Sequence, residues 1–231
     1  MGDSAPSAPH ESANDDVALA ESAAALFAEG KRDQARAVFS RVLTPETTDV
    51  RVLFLAFQFH FRSGEYEEAE RLVRRRLEIT GPDADSEETA RAYTNLGLVL
   101  LYRKDLDGAE REFSRSVSIS ERIGDDFSLA RALGNLALAP EARGDLDRAE
   151  VLYLKALAIA ERLGAEKLIA GNVANLGDIA KARGRADQAR DLWTRALTIY
   201  DQLGITMWRP ELVQKLAALD AQAIGQPRTT N

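Results

Sequence analysis

The sequence predicts an all-α fold in which five antiparallel helix pairs stack side by side and a single capping helix closes the array. Three observations carry that expectation. The first is an internal repeat: Asn-Leu-Gly at Asn95 returns as Asn-Leu-Ala at Asn135 and again as Asn-Leu-Gly at Asn175, a period of 40 residues. Residues 91–130 and 131–170 are identical at 16 of 40 positions, where average composition gives roughly two or three. A fixed period of this size marks a solenoid, in which each unit buries its apolar face against its neighbours. The second is a Gly-x-x-x-x-Ala turn at Gly30/Ala35, Gly64/Ala69, Gly144/Ala149 and Gly184/Ala189, with Lys104/Ala109 in the same register. The third is a helical spacing of apolar residues from Val17 to about Leu219 with no strand-like alternation.

The elements follow in order. Residues 1–15 are rich in Ser, Pro, Ala and Asp and read as a disordered tail, while 225–231 read as a flexible one. Between them, the solenoid of residues 16–224 divides into units at about 16–47, 48–84, 85–125, 126–165 and 166–205, with a capping helix over 208–223. In each unit the turn glycine stops the first helix in a left-handed conformation that costs it no Cβ clash. The alanine five residues on opens the second helix. Facing it stands a small residue (Ala23, Gly97, Ala137, Gly177), with Phe57 the misfit. A bulky residue one turn after the alanine (Phe39, Val73, Phe113, Tyr153, Trp193) is expected to wedge between units, Trp193 against the capping helix. Gly124, Gly164 and Gly204 end the last three second helices. Unit two ends early, at Gly81-Pro82, and Asp85-Ser86-Glu87-Glu88 looks like the capped start of the next helix. Pro140 is expected to interrupt the first helix of unit four.

Composition excludes several functions. The chain is acidic, Lys+Arg 30 against Asp+Glu 37, and has no long basic run, so direct nucleic-acid binding is not expected. With no cysteine there is no disulfide or thiolate chemistry. No secretory signal or membrane-length apolar run is present, which points to a cytoplasmic protein with no membrane partner. Phosphate loop, nucleophile elbow and paired metal-ligating histidines are all missing, so no enzyme activity, cofactor or metal is expected. His60, among Phe57, Phe59 and Phe61, reads as a packed histidine. The Arg74-Arg75-Arg76 run reads as helix-surface charge paired with Glu67, Glu68 and Glu70.

The turn spacing, the Leu-Gly pairs and the aromatic positions resemble the tetratricopeptide repeat family. The 40-residue units are similar to the extended repeats of kinesin light chains, spindle-orientation adaptors and bacterial peptide-sensing regulators. The resemblance implies a right-handed α-α superhelix whose first helices line a concave groove. It also implies that the asparagine of the repeat points into that groove and can bond a bound peptide's backbone. Here those positions hold Asn95, Asn135 and Asn175, whereas units one and two carry Glu21 and Leu55. One turn earlier stand Arg51, Arg91 and Arg131, with Val17 and Gly171 at the ends; the remaining groove set is Gln58, Arg62, Tyr102, Asp178 and Lys181.

Amides offer donor and acceptor to a main chain, and guanidinium groups grip carboxylates in pairs of bonds. The expectation is a module that binds a protein or peptide bearing acidic side chains. Two alternatives stand beside it: a regulatory or sensor component acting through a partner protein, and a self-associating scaffold. The asparagines have a second reading too, as braces between neighbouring helices.

Overall fold

A computed structural model describes residues 9–225, and their side chains over 15–221. Among the described residues there are eleven α-helices and no strand: α1 (Pro9–Ala28), α2 (Arg32–Val42), α3 (Val50–Arg62), α4 (Tyr66–Thr80), α5 (Glu87–Tyr102), α6 (Leu106–Ile123), α7 (Asp126–Arg143), α8 (Leu146–Leu163), α9 (Glu166–Ala182), α10 (Ala186–Gln202) and α11 (Arg209–Gly225). The first helix begins inside the segment read as a tail; residues 1–8 and 226–231 of the two expected tails lie outside the described residues.

Consecutive helices pack as hairpins, α1 on α2 through α9 on α10, and each hairpin packs on the next. The starts of five helices are fixed locally by a side-chain cap. Asp49, Asp105, Asp125 and Asp145 accept bonds from backbone N–H groups of the first turns of α3, α6, α7 and α8, and Ser86 does so for α5. Gly124 and Gly164 end α6 and α8 in the left-handed conformation, at φ 68° and 63°.

The third turn breaks the glycine rule and meets the same geometry. Lys104 sits at φ 67°, the one non-glycine residue with positive φ among the described residues. A side chain there costs about 1–2 kcal/mol. Lys104→Gly is therefore expected to stabilise the chain by about 0.5–1 kcal/mol after the added unfolded-chain entropy is discounted. Chemical denaturation checks it, and a variant with a lower midpoint would show that the Lys104 side chain contributes contacts of its own.

The small-residue positions work differently from the expected contact with the turn alanine. A Cβ at Gly97 would lie 2.6 Å from the Phe113 ring, and one at Gly177 2.5 Å from the Trp193 ring. The glycine thus receives the aromatic residue one turn after the alanine. Phe113 and Tyr153 are fully buried and Trp193 is 3 % exposed. Pro140, buried near the end of α7, does not interrupt it: the helix runs on to Arg143, and the Pro140 carbonyl accepts the Asp145 N–H at 2.9 Å. A proline so close to a helix C-terminus removes one backbone bond and leaves the last turn intact.

The arginine run is also not the uniform surface strip expected. Arg74 does pair with Glu70, at 2.8 Å, but Arg75 donates to the Thr44 carbonyl at 2.8 Å. Arg76 is 2 % exposed. It shares the buried face of α4 with Ala69, Leu72, Val73 and Leu77.

His60 is half-buried and bonded as well as packed. It meets the Phe59 ring edge-on, and its Nδ1 lies 2.7 Å from Glu65 Oε2. Arg36, the same His60 and Arg32 gather on Glu65 and hold its carboxyl down at about 2, which ties unit one to unit two.

Units three to five are tied by a repeated ionic staple instead. Arg103, Arg143 and Arg183, each next to a turn, reach back to Glu70, Glu110 and Glu150 of the preceding unit.

Candidate functional site

The first helices of the hairpins form a wall in two runs, α1 on α3 and α5 on α7 on α9, with α4 packed against both α3 and α5 between them. All eleven residues predicted from the sequence lie on these helices. On α3, Arg51 is exposed and paired with Glu21 of α1, so the glutamate at the asparagine position of unit one answers the arginine of unit two. Gln58 is exposed; Arg62 stacks its guanidinium 5.0 Å from the Phe27 ring centroid. Tyr102, at the far end of α5, is 53 % exposed and stacks on Tyr66 and edge-on to Phe61. It belongs to an aromatic cluster beside the unit-two turn.

The middle of the wall is where the predicted residues come together. Arg91 is half-buried, pairs with Glu87 one turn before it, and leaves its Nε without a partner. Asn95, one turn on, is buried and its Nδ2 has no partner either. Across on α7, Arg131 is half-buried and donates to Ser128 Oγ at 3.3 Å, again with an unpartnered Nε. Burial first, and then the charge of Arg91, lowers the Arg131 pKa from its ordinary value. Asn135 is half-buried beside it.

The C-terminal end of the wall has a different character. Asn175 lies against the Tyr153 hydroxyl, which donates to Glu141 Oε2 at 2.5 Å. Asp178 accepts from Lys215 of α11 at 2.8 Å. Burial raises the pKa of both Glu141 and Asp178. Lys181 is half-buried on α9. The arginine stripe stops here: Gly171 is open, a Cβ there meeting only the Tyr200 hydroxyl at 3.7 Å.

Asn172, three residues before Asn175, bonds back within its own helix and packs against α7. It is buried, donates to the Leu168 carbonyl at 2.8 Å, and fills the space a side chain at Gly134 would need.

Two residues that shape this wall were missed by sequence reasoning. Arg76 packs its guanidinium 4.9 Å from the Phe54 ring centroid and is bonded to Glu88 at the start of α5. Glu141 is the other. The signal for Arg76 was available: positions 69, 72, 73, 76 and 77 form one apolar helical stripe with a single charge in it.

A cleft of about 820 Å³ lies elsewhere, between the 82–83 loop and the Arg111–Arg122 face of α6. No group of acidic and histidine side chains among the described residues could hold a metal ion. No helix among them is long and apolar enough to cross a membrane.

A family model described as tetratricopeptide repeat matches residues 53–122 and 88–162, and a second of the same description matches 173–195. The chain belongs to the tetratricopeptide repeat family. Solved structures share the helical stack over most of its length. BtubC from P. vanneervenii is similar over 95 % of this chain and 96 % of its own, at 18 % identity and a TM-score of 0.56. A kinesin light chain-like repeat protein from Podospora anserina aligns with 81 % of this chain and 95 % of its own, at 15 % identity and a TM-score of 0.63. A Rap protein complexed with competence and sporulation factor has a TM-score of 0.72 at 14 % identity; 87 % of this chain spans 61 % of that protein. No curated protein sequence matches the chain. At these identities the likeness establishes the fold. The tetratricopeptide stack is a protein–protein interaction module.

Proposed function

We propose that this tetratricopeptide protein is a non-catalytic cytoplasmic adaptor holding an acidic peptide or protein segment along the wall lined by Arg91, Asn95, Arg131, Asn135 and Asn175. One observation carries the reading: Arg91 Nε, Arg131 Nε and Asn95 Nδ2 are buried donors that nothing among the described residues satisfies. Burying a donor without an acceptor costs about 1–3 kcal/mol, so an incoming acceptor recovers that cost. Asparagine amides suit a main chain; arginines suit its carboxylates. The Rap protein, which shares this fold, is seen in complex with a factor of its own, and that supports the superhelix as a holder of such segments.

The test begins with a partner captured from the native cell and identified, followed by calorimetry. Arg131→Ala with Asn135→Ala should weaken binding about ten- to a hundredfold, the usual range for truncated polar hot spots, with helicity unchanged. Added salt should weaken the parent complex further. Unchanged affinity in the folded double variant would move the binding surface off this wall.

A further inference from the structure

Helix α11 stands where the first helix of a sixth unit would stand. It packs on α10, as α7 packs on α6 and α9 on α8. The 40-residue step sets Val213, Ala217 and Ala221 level with Val173, Gly177 and Lys181 of α9, and with Leu133, Ala137 and Glu141 of α7. Leu212 and Leu219 are buried in the core it shares with α9 and α10. Even the ionic joint between units persists with its signs exchanged. Arg190 holds the place of Glu70, Glu110 and Glu150, and Asp220 of α11 answers it.

The opposite face of α11 is open. In units three and five this face of the first helix receives its own second helix, Gly97 taking the Phe113 ring and Gly177 the Trp193 ring. Tyr93, Leu133 and Val173 are buried there. Val213 in the same register is 41 % exposed, and Gln214, Ala217 and Ala221 are exposed beside it. A terminal helix ordinarily closes such a stack with a polar outer face. Here all four charged side chains of α11 pair with α9, with α10 or with each other: Arg209 with Asp201, Lys215 with Asp178 and Glu211, Asp220 with Arg190. The open face keeps one polar residue, Gln214.

We propose that this face of α11 is the docking seat for an amphipathic helix of a partner protein, which completes a sixth hairpin in trans. Helices are recognised in this way through anchors spaced by one turn. The repeat specifies the guest's main anchor. A ring placed like that of Trp193 needs a glycine opposite, since a Cβ at Gly177 would lie 2.5 Å from it. Ala217 corresponds instead to Ala137, whose second helix carries Tyr153 in the aromatic position. The Tyr153 hydroxyl donates to Glu141 at 2.5 Å, and Ala221 stands in the place of Glu141. A guest tyrosine would lose that acceptor, so phenylalanine is the anchor that fits. A second copy of the chain has no such helix to lend among the described residues, because α2, α4, α6, α8 and α10 each pack on their own first helices. The seat uses none of the groove residues and stands apart from the groove reading.

The full chain is titrated with a labelled peptide of residues 144–164, the second helix whose own seat also carries an alanine. Binding is read by fluorescence anisotropy and by the gain in helicity, since a lone helix of this length is marginal in water. The peptide is made with Tyr153, with Tyr153→Phe and with Tyr153→Ala. Binding should saturate, be tightest with phenylalanine and fall about tenfold or more with alanine, as for a central aromatic anchor. Ala217→Lys in the chain should weaken it as much, and Val213→Ser, a change without added bulk or charge, should weaken it several-fold. Both sites are exposed, and circular dichroism of the two variants should match the parent. No saturable binding, alanine and phenylalanine peptides of equal affinity, a tyrosine peptide tighter than phenylalanine, or full binding by the Ala217→Lys chain would each overturn the seat. Sedimentation of the chain alone covers the remaining occupant: self-association that Ala217→Lys abolishes would give the face to a second copy and overturn the partner helix.

Discussion

Trp193→Ala is expected to cost about 3–5 kcal/mol, the range for deleting a core aromatic side chain. The indole is 3 % exposed, its ring fills the space left by Gly177, and its Nε1–H donates to the Ala174 carbonyl at 3.1 Å. Lys215 of α11 adds a cation 5.7 Å from the ring centroid. Alanine would leave a cavity between α9 and α10, remove the second donor to the Ala174 carbonyl and loosen α11 at once. For a chain of this size the loss corresponds to a melting point lower by roughly 6–20 °C. Nearest-neighbour interfaces carry the stability of such stacks, so amide protection should fall first in α9 to α11. Parent-like melting would contradict this role.

Gly97→Val should be nearly as damaging, for the opposite reason. A Cβ at that position stands 2.6 Å from two ring carbons of Phe113, which is fully buried. The ring cannot yield without opening a gap on its far side. Overpacking of this kind costs about 1–3 kcal/mol and more where nothing relaxes. A second change, Phe113→Leu, should recover part of the loss, and a double-mutant cycle over the pair should give a coupling well above measurement error. Additive losses would show that the glycine serves the helix backbone instead.

The fold was legible because a solenoid writes each interface several times. The same glycine, alanine and aromatic positions recur at a fixed step, and a pattern seen three times needs little else to be trusted. Helix C-termini were legible for the same reason, through the recurring glycines that stop them. The partner of each glycine was not legible, because spacing alone does not say whether a small residue faces an alanine or a ring.

The wall was legible by register: Asn95, Asn135 and Arg131 stand where the repeat puts them. What escaped was what the repeat does not share. Arg76 is unique to unit two, and its neighbours Arg74 and Arg75 made it look like part of a surface run. Glu141 carries no signal of its own, since its partner Tyr153 stands across the hairpin, 12 residues on. Pairing between units escaped for a third reason: Arg103 and Glu70 are 33 residues apart, and no local rule links them.

That last pairing has an experimental use. The contact recurs as Arg143 with Glu110 and Arg183 with Glu150, so the molecule carries its own replicates. One substitution made three times holds the arginine, its glutamate and their spacing constant, while the glutamate's second arginine changes from Arg74 to Arg148 to Arg185. Differences among the three variants therefore measure how depth within the array and that second arginine weight the joint. A chain of unrelated contacts offers no such calibration.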